Sequence, residues 1–580
     1  MNALDYTVVL ATLLAIAGYS MWRTRSRRSL ETYLRGARDT NWFTIGVAVM
    51  ATQASATTFL STPGQGYQDG LGFIQNYFGA PLAMIIIAVV FLPIFRGLNV
   101  FTAYEYLGRR FDRKTRLLGA GLFLLQRGIA AGITIYAPAI VLSTVLGWPL
   151  SPTIIASGLL VTLYTVTGGS EAVALTQKYQ FGVIIAGMVA ALVVLVTKLP
   201  PDLTLGDAFK VAGGFGKLRA VDPTLSLAPR YTLWSGLIGG LFLALSYFGA
   251  DQSQVQRYLG GGSMRESRLG LMFNAVFKIP MQLFILLLGA LIFVFYQFER
   301  PPVFFNQPAW QAAAKSAPEK FRGIESSYAT AQAEKQAHIS RWLAAEHAGD
   351  SATSVAARHA AQATQARAES IRTQAKAALR EADPRAPATD TDFVFITFIV
   401  TYLPHGLIGL LVTVFFAATL NSKAAELNAL ASATTVDFYR HLVRPDATDA
   451  QSVTASRWFT GLWGLAAIGF ALSITLAENL IQFANIIASI FYPVLLGLFL
   501  VAFFLKRVGG TAVFWGALAA QAVTVAIFFA RGAHPDFPVS YLWDNVIGCV
   551  ACMGFALLFQ SLLPKPFAQE ETAGTENQSG

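Results

Sequence analysis

Long apolar runs recur along most of the chain and are separated by short polar loops. A bilayer-spanning helix needs about 20 mostly apolar residues, and counting runs of that length predicts about thirteen transmembrane helices. The predicted spans are 5–22, 42–61, 72–97, 116–145, 151–168, 179–198, 232–252, 269–297, 393–422, 457–477, 480–504, 511–531 and 541–563. The pattern is that of an all-α polytopic membrane protein.

Charge confirms the membrane class and sets an expected orientation. Of 580 residues, 54% are hydrophobic and 13% charged, with a net charge of +10. Lys and Arg gather in the loops 23–41, 96–116, 253–268, 439–457 and 505–508, and are absent from 62–71, 146–150 and 477–480. By the positive-inside rule the first group is cytoplasmic, which predicts an outer N-terminus and a cytoplasmic C-terminus in a plasma (inner) membrane. Nucleic acid is therefore not an expected partner, and the lipid bilayer is.

One long stretch, 299–391, departs from the membrane pattern and lies outside by the parity of the spans. It is rich in Ala, Gln, Glu, Lys and Arg, and it carries an apolar stripe at helical spacing: Phe321, Ile324, Tyr328, Ala331, Lys335, Ile339 and Trp342. Gly349 and Asp350 provide a helix stop followed by a new start. We predict an extracytoplasmic helical hairpin, with a protein partner as one candidate role. Its histidines have no metal-ligand spacing.

The predicted organisation follows from these boundaries. It comprises a first span with a basic loop (1–41), a transporter core in two parts (42–298 and 392–505), the hairpin insertion (299–391), two further spans (506–565) and a disordered cytoplasmic tail (566–580).

Two spans contain polar residues that predict broken helices. In 50–64, Gln53, Ser55, Thr57 and Thr58 lie at membrane depth and Pro63-Gly64 is expected to end the span. In 246–252, Gly249 precedes Asp251 near the inner end. Interrupted helices within a membrane are tolerated around a cavity, and transporters use them to build a midplane site. A kink at Gly or Pro without a function is the alternative.

A third polar stretch, Phe415 to Tyr439, turns polar before its span is complete. Ala418, Asn421 and Ser422 share one helix face, so a carbonyl, an amide oxygen and a hydroxyl converge within one turn. Clustered neutral oxygens suit a small hard cation. Hydrogen bonds to a neighbouring helix are the alternative use of such residues.

Several stretches together resemble the sodium/solute symporter family: TGGSEAVALTQKYQ (167–180), 230–259 and 415–442, with support from 51–64. The likeness covers about residues 40 to 505 without the hairpin. It implies a ten-helix core of two inverted repeats, as in the leucine transporter, and a symporter in place of an enzyme. Sodium as the coupling ion is the one cofactor-like component that the resemblance implies.

The resemblance also implies site residues. Sodium would be held by Ala51, Ala54, Ala418, Asn421 and Ser422, with Asn421 standing where the family usually has Ser or Thr. Tyr247 corresponds to the inner aromatic gate, and the substrate-contacting positions correspond to Gln53, Thr58 and Asn485.

Charged residues near the implied sodium site depart from the family pattern. Gln177 stands where the family commonly has an Asp, and Lys178 follows it. With Lys423 beside the sodium residues, a second bound cation is not expected, because like charges repel strongly at low dielectric. A lysine that replaces sodium is one alternative. Both lysines snorkelling to the inner interface is another.

Arg127 lies about ten residues into the fourth span, and it carries the prediction about the substrate. An ionised group at that depth needs an anion, and a guanidinium matches a carboxylate. Asp251 is expected to lie a turn or more from the level of Arg127, and the sequence shows no other acid at that depth. The sequence therefore predicts import of a small organic anion, such as a monocarboxylate or an acidic sugar. If Arg127 binds only helix carbonyls, the solute is neutral.

Three further functional alternatives stay open at this stage. They are a sodium-independent or proton-coupled transporter of the same fold, a receptor-like homologue that signals through the hairpin, and a passive channel, which the lack of a repeated filter sequence disfavours.

Overall fold

The computed structural model describes residues 2–12, 41–53, 55–97, 102–384, 386–387, 389–473, 478–534 and 536–563, without the side chains of 56, 164, 167–180, 414, 417, 420 and 421. These ranges form helices and connecting turns, with no strand among them. The helices are α1 (Ala3–Thr12, its described part), α2 (Trp42–Gln53), α3 (Ala56–Asp69), α4 (Ala80–Ile86), α5 (Leu92–Gly97), α6 (Ala103–Arg110), α7 (Arg113–Leu146), α8 (Leu150–Thr197), α9 (Leu205–Gly214), α10 (Gly240–Gly249), α11 (Gln252–Leu259), α12 (Met264–Phe298), α13 (Gln307–Ala314), α14 (Pro318–Ala348), α15 (Ser351–Ala382), α16 (Val394–Tyr402), α17 (Leu407–Ala433), α18 (Asp449–Ser473), α19 (Leu480–Phe504), α20 (Gly510–Ala533) and α21 (Tyr541–Leu562).

Short irregular turns extend several of these helices. Gly70–Tyr77 and Thr391–Phe393 are 3₁₀ turns, and Ile87–Phe91, Ser235–Gly239 and Thr434–Val443 are π turns. Within the described residues, six helical runs are long and apolar enough to cross a membrane: Thr57–Gly97, Arg113–Leu146, Met264–Phe298, Leu480–Phe504, Gly510–Ala533 and Tyr541–Leu562. Six shorter apolar helices accompany them, among them Trp42–Gln53 and Ser235–Gly249. The count of about thirteen spans stays a prediction, and most of the predicted first span lies outside the described residues.

Two predicted spans form one helix, so the expected break between 151–168 and 179–198 is wrong. Helix α8 runs for 48 residues through TGGSEAVALTQKYQ. That stretch contains no proline and is rich in Ala, Glu, Leu and Gln, which favour helix. The two adjacent glycines at 168 and 169 weaken the helix without ending it.

The predicted span 393–422 is wrong in the opposite sense, because it is divided. Helix α16 ends at Tyr402, and α17 begins at Leu407. Between them Pro404 lacks an N–H group, and Gly406 adopts a φ of 89°. Glycine is the residue that takes this left-handed conformation without steric cost.

Helices α3 and α12 approach each other closely through glycines. A Cβ atom on Gly289 of α12 would overlap the carbonyl oxygen of Pro63, and one on Gly66 of α3 would overlap the carbonyl of Leu286. Small residues allow this close backbone approach between helices in membranes. The expectation that Pro63-Gly64 ends the span is wrong, because α3 continues through both residues to Asp69.

The insertion folds as the predicted hairpin of α14 and α15. Gly349 ends α14 with a φ of 72°, and the Asp350 side chain accepts a 3.1 Å hydrogen bond from the Thr353 amide to start α15. The residues of the apolar stripe, including Phe321 and Tyr328, are buried, except for the half-buried Ile324. The hairpin contacts α9, where the Gln362 amide donates to the Gly214 carbonyl at 2.7 Å.

Candidate functional site

The first helix break lies within the stretch 50–64, where the polar residues predict one. Helix α2 ends at Gln53 and α3 begins at Ala56, with Ser55 extended at a ψ of 168°. The Thr58 hydroxyl donates to the Gln53 carbonyl at 2.8 Å and so satisfies one acceptor at the break. The last carbonyls of α2 have no donor within their own helix, so side chains, an ion or a ligand must satisfy them.

The second break lies between α10 and α11, at Ala250 and Asp251. Asp251 is extended, with a ψ of 121°, and starts α11. One of its carboxylate oxygens accepts from the Ser253 amide at 2.7 Å and from the Ser253 hydroxyl at 2.6 Å. This geometry turns the carboxylate toward the protein interior, where it is fully buried.

A cavity of about 170 Å³ lies between the two breaks. Its walls come from α2, α3, α4, α7, α10, α12, α17 and α19, together with the 3₁₀ turn Gly70–Tyr77. One ordered water needs roughly 10–15 Å³ of such volume, so the cavity suits a molecule of about ten heavy atoms. All five predicted substrate residues line it: Gln53, Thr58, Arg127, Tyr247 and Asn485. Their contact with a substrate stays a prediction.

The predicted sodium residues are brought together in part. Helix α17 contacts the end of α2, where the Ser422 hydroxyl donates to the Thr52 carbonyl at 3.3 Å. Ala418 is buried one turn earlier on α17, and Ala51 lies beside Thr52 in the last turn of α2. Ala54 and the side chain of Asn421 lie outside the described residues. The hydroxyl and the helix-end carbonyls are oxygen donors of the kind that a small hard cation binds.

Arg127 has acidic partners, so the expectation that Asp251 lies too far away is wrong. The guanidinium donates from Nε to Asp251 at 3.0 Å, from Nη2 to the same carboxylate, and from Nη1 to Glu426 at 3.3 Å. The Tyr492 hydroxyl joins the group at 3.0 Å from Nη2. The break at Asp251 brings its carboxylate to the level of Arg127, which a straight helix would not do.

Lys423 does not snorkel to the inner interface, which corrects one of the two alternatives for this residue. Its side chain is fully buried between α17 and α7. The ammonium donates to the Ala131 carbonyl and to Glu426, the latter at 3.2 Å. The side chains of Gln177 and Lys178 lie outside the described residues.

The sequence reasoning missed Lys278, on the α12 wall of the cavity. This lysine is 5% exposed, and within the described part of the chain the partner of its ammonium is the ring of Tyr77, whose centroid lies 4.9 Å away. Among the described residues no carboxylate lies within ion-pair distance of it. The signal that singled out Arg127, an ionisable residue inside an apolar run, also applies to Lys278.

Several amide and hydroxyl groups of the cavity wall have no partner within the described chain. They are both amide atoms of Asn274, Oδ1 of Asn76, Nε2 of Gln53, Nδ2 of Asn485, Oε1 of Gln126 and Oγ1 of Thr57. Buried polar groups are normally hydrogen-bonded, and leaving one unpaired costs about 1–3 kcal/mol. Their concentration at one cavity indicates a binding site for a polar molecule.

Comparison with known proteins bears on this arrangement. The model of the sodium:solute symporter family matches residues 33–319 and 377–520, which leaves out much of the hairpin. The chain belongs to this family. Members are transporters, so the fold and the cavity are those of a transport protein and not of an enzyme.

Curated relatives resemble parts or most of the chain. The human sodium/iodide cotransporter is 32% identical over 51% of this chain and 46% of its own length. The mouse sodium-coupled monocarboxylate transporter 1 is 35% identical over 47% of this chain and 44% of its own. The bovine sodium-coupled monocarboxylate transporter 2 is 25% identical over 97% of this chain and 78% of its own. The match thus spans less than half the length of the first two relatives.

Among solved structures, a Na⁺-coupled sialic acid symporter in a substrate-bound, outward-open state has the same fold. The TM-score is 0.73 at 21% identity, over 97% of this chain and 99% of that one. At this identity the likeness concerns the fold alone. The resemblance to the family predicts a core of ten helices in two inverted repeats. For this chain that core stays a prediction.

Proposed function

We propose that the chain is a sodium-coupled symporter that imports a small organic anion by alternating access. Family membership supports the transport mechanism. The names of its relatives point to anions, because iodide and monocarboxylates are both negatively charged. Within the family the chemistry of the cavity decides the substrate class, and one buried side chain there favours an anion.

Lys278, and not Arg127, is the cavity residue that favours an anionic substrate. The charge of Arg127 is balanced by Asp251 and Glu426, so Arg127 needs no anion from outside. Lys278 is equally buried and lines the same cavity, and among the described residues its ammonium is partnered by an aromatic ring and by no carboxylate. A buried charge without a partner is costly, and a substrate carboxylate at Lys278 would offset that cost.

The unpaired amides would bind the rest of the substrate. Asn274 lies one helical turn before Lys278 on α12, and Asn76 lies beside Tyr77. Both are therefore close to the proposed carboxylate position. Gln53 and Asn485 supply further unpaired donors from α2 and α19. A carboxylate that also carries hydroxyl, keto or amide groups suits this wall better than a simple fatty acid.

Sodium would bind beside the same cavity and link two helices. We assign it to the end of α2 and to Ala418, Asn421 and Ser422 of α17. Ser422 also belongs to the cavity wall, so ion and substrate would occupy neighbouring positions. Sodium would favour the conformation in which α2 and α17 stay in contact, and its release would loosen that contact. We place the N-terminus outside and the C-terminus in the cytoplasm.

Uptake by purified protein in proteoliposomes tests the proposal. Labelled monocarboxylates, acidic sugars and neutral sugars would be offered with an inward gradient of sodium, of protons, or of neither. We expect sodium-driven uptake of an anion, lost in Lys278→Gln, while sodium binding is retained. Lys315→Gln is the matched control, because Lys315 is exposed on the hairpin side.

The same measurements distinguish the alternatives. Equal uptake under a proton gradient alone would favour a proton-coupled transporter. Sodium-driven uptake of a neutral solute, unaffected by Lys278→Gln, would contradict the anion assignment and leave the symporter intact. Absence of uptake or counterflow with every solute would favour the receptor-like homologue, with the hairpin as its interaction surface.

A further inference from the structure

Two oxygens accept from the ammonium of Lys423 where α17 crosses α7, and a third oxygen is hydrogen-bonded to both of them. The two acceptors are the Ala131 carbonyl and the Glu426 carboxylate. The third oxygen is the Thr134 hydroxyl, 3.1 Å from Glu426 and 3.3 Å from the Ala131 carbonyl oxygen. A main-chain carbonyl, a carboxylate and a hydroxyl are the ligands that a hard monovalent cation would take.

Charge balance explains why a cation belongs at this position. Arg127 and Lys423 are positive, Asp251 and Glu426 are negative, and all four side chains are at least 94% buried. The group is therefore neutral as it stands. Without the ammonium, the ionic contact left to Glu426 would be the one with Nη1 of Arg127 at 3.3 Å. The buried group would then carry one uncompensated negative charge. Such a charge is strongly unfavourable in a low dielectric.

We propose that Ala131, Thr134 and Glu426 form a monovalent-cation site that the chain fills with its own Lys423. The tethered ammonium keeps mobile ions out, so a single mobile sodium binds, at Ser422. Lys423 and Ser422 are consecutive on α17 and point to different neighbours, α7 and α2 respectively. The two positions are thus separate sites on one helix. The proposal rests on the proposed sodium coupling but not on the identity of the substrate.

The competing view is that Lys423 is only a structural tie between α7 and α17. The two views differ in what happens when the ammonium is removed. If Lys423 is only a structural tie, removing its ammonium weakens the contact between α7 and α17 and creates no ion site. If Lys423 fills a cation site, removing its ammonium leaves three oxygens and a negative charge, which sodium can neutralise.

Binding of ²²Na⁺ to the purified full-length protein, counted per protein molecule, distinguishes these views. We expect one sodium in the wild type and two in Lys423→Ala. The double variant Lys423→Ala/Glu426→Gln restores neutrality without a lysine and should return to one. Lys423→Ala/Ser422→Ala should keep the new site while losing most affinity at the other, and so also bind one.

Each remaining outcome has a defined meaning. Two sodium ions in the wild type, or one in a folded Lys423→Ala, would overturn the inference. No sodium in the wild type would contradict the proposed coupling itself, which is a separate failure. If Lys423→Ala does not fold in choline chloride, recovery of monodisperse protein in sodium chloride supports the site, and equal loss in both salts overturns it.

Discussion

Asp251→Asn tests most directly the buried charge network of Arg127, Lys423, Asp251 and Glu426. The Asp251 carboxylate accepts hydrogen bonds from Nε and Nη2 of Arg127, from the Tyr492 hydroxyl at 2.5 Å and from both donors of Ser253. An amide of the same size has one oxygen and brings two donors. The substitution therefore breaks several of these bonds and leaves the network with one net positive charge.

The expected loss of stability is large. Removing one partner of a buried ion pair costs about 3–5 kcal/mol, because the other charge stays buried without compensation. Glu426 cannot take over, since it already binds both Arg127 and Lys423. Replacing the two partners together, in Arg127→Gln/Asp251→Asn, leaves Lys423 and Glu426 as a neutral pair. The double variant should therefore regain more than half of the loss.

Thermal unfolding of the detergent-solubilised protein, followed by tryptophan fluorescence without substrate, measures this. Asp251→Asn should lower the midpoint by several degrees, and the exposed control Asp446→Asn should leave it unchanged. If Arg127 instead awaited a substrate anion, Asp251→Asn would leave the ligand-free protein as stable as the wild type. Equal stability, or a double variant as unstable as the sum of its single changes, would refute the paired arrangement.

Three further predictions concern sodium and the hairpin. Ser422→Ala should raise the sodium concentration for half-maximal uptake several-fold, since one buried ligand contributes roughly 1–3 kcal/mol; unchanged sodium dependence would contradict the site. Burial lowers the pKa of Lys335 from 10.5 to about 7, only partly opposed by Glu369. Between pH 7 and 10.5 the unfolded hairpin therefore holds a proton on Lys335 that the folded hairpin does not hold. The free energy of unfolding of the hairpin should rise with pH over this range, by roughly 5 kcal/mol in all. Hydrogen exchange in α14, corrected for intrinsic rates, should show this slope, and Lys335→Met should remove it. Gly214→Ala should speed exchange around Trp342, because the added Cβ would overlap the Trp342 ring; unchanged exchange would show that the hairpin docks elsewhere.

The parts of the fold that sequence predicted well are those in which local pattern decides. Helices α19, α20 and α21 end within two residues of the predicted spans, because each is one uninterrupted apolar run. The hairpin is equally predictable from the sequence, since an apolar stripe at helical spacing and a Gly-Asp stop are local signals. The breaks at 53–55 and at 250–251 were predicted because polar residues in a span need a reason.

Partners were harder to predict than elements. Depth along a straight helix placed Asp251 away from Arg127, but the break that the same sequence predicts moves its carboxylate inward. Glu426 lies one turn after Ser422 in the polar stretch 415–439, and its pairing with two cations depends on how α7 and α17 cross. No periodicity in either helix encodes that crossing. Likewise, the continuous helix α8 shows that the distance between two apolar runs does not determine whether a turn separates them.

The comparison of Arg127 with Lys278 shows why pairing, and not depth, assigns a role to a buried charge. Both cations line the same cavity, and each is at most 5% exposed. Arg127 belongs to a neutral group of four, whereas no carboxylate among the described residues lies within ion-pair distance of the Lys278 amine. An anion at Lys278 would stabilise the ammonium form of that side chain and cancel its repulsion of a cation at Ser422, which lines the same cavity. Substrate and sodium would then strengthen each other's binding by the same factor, as linkage requires. On this argument the coupling between ion and solute follows from the electrostatics of the cavity that α12 and α17 both line, before any helix moves.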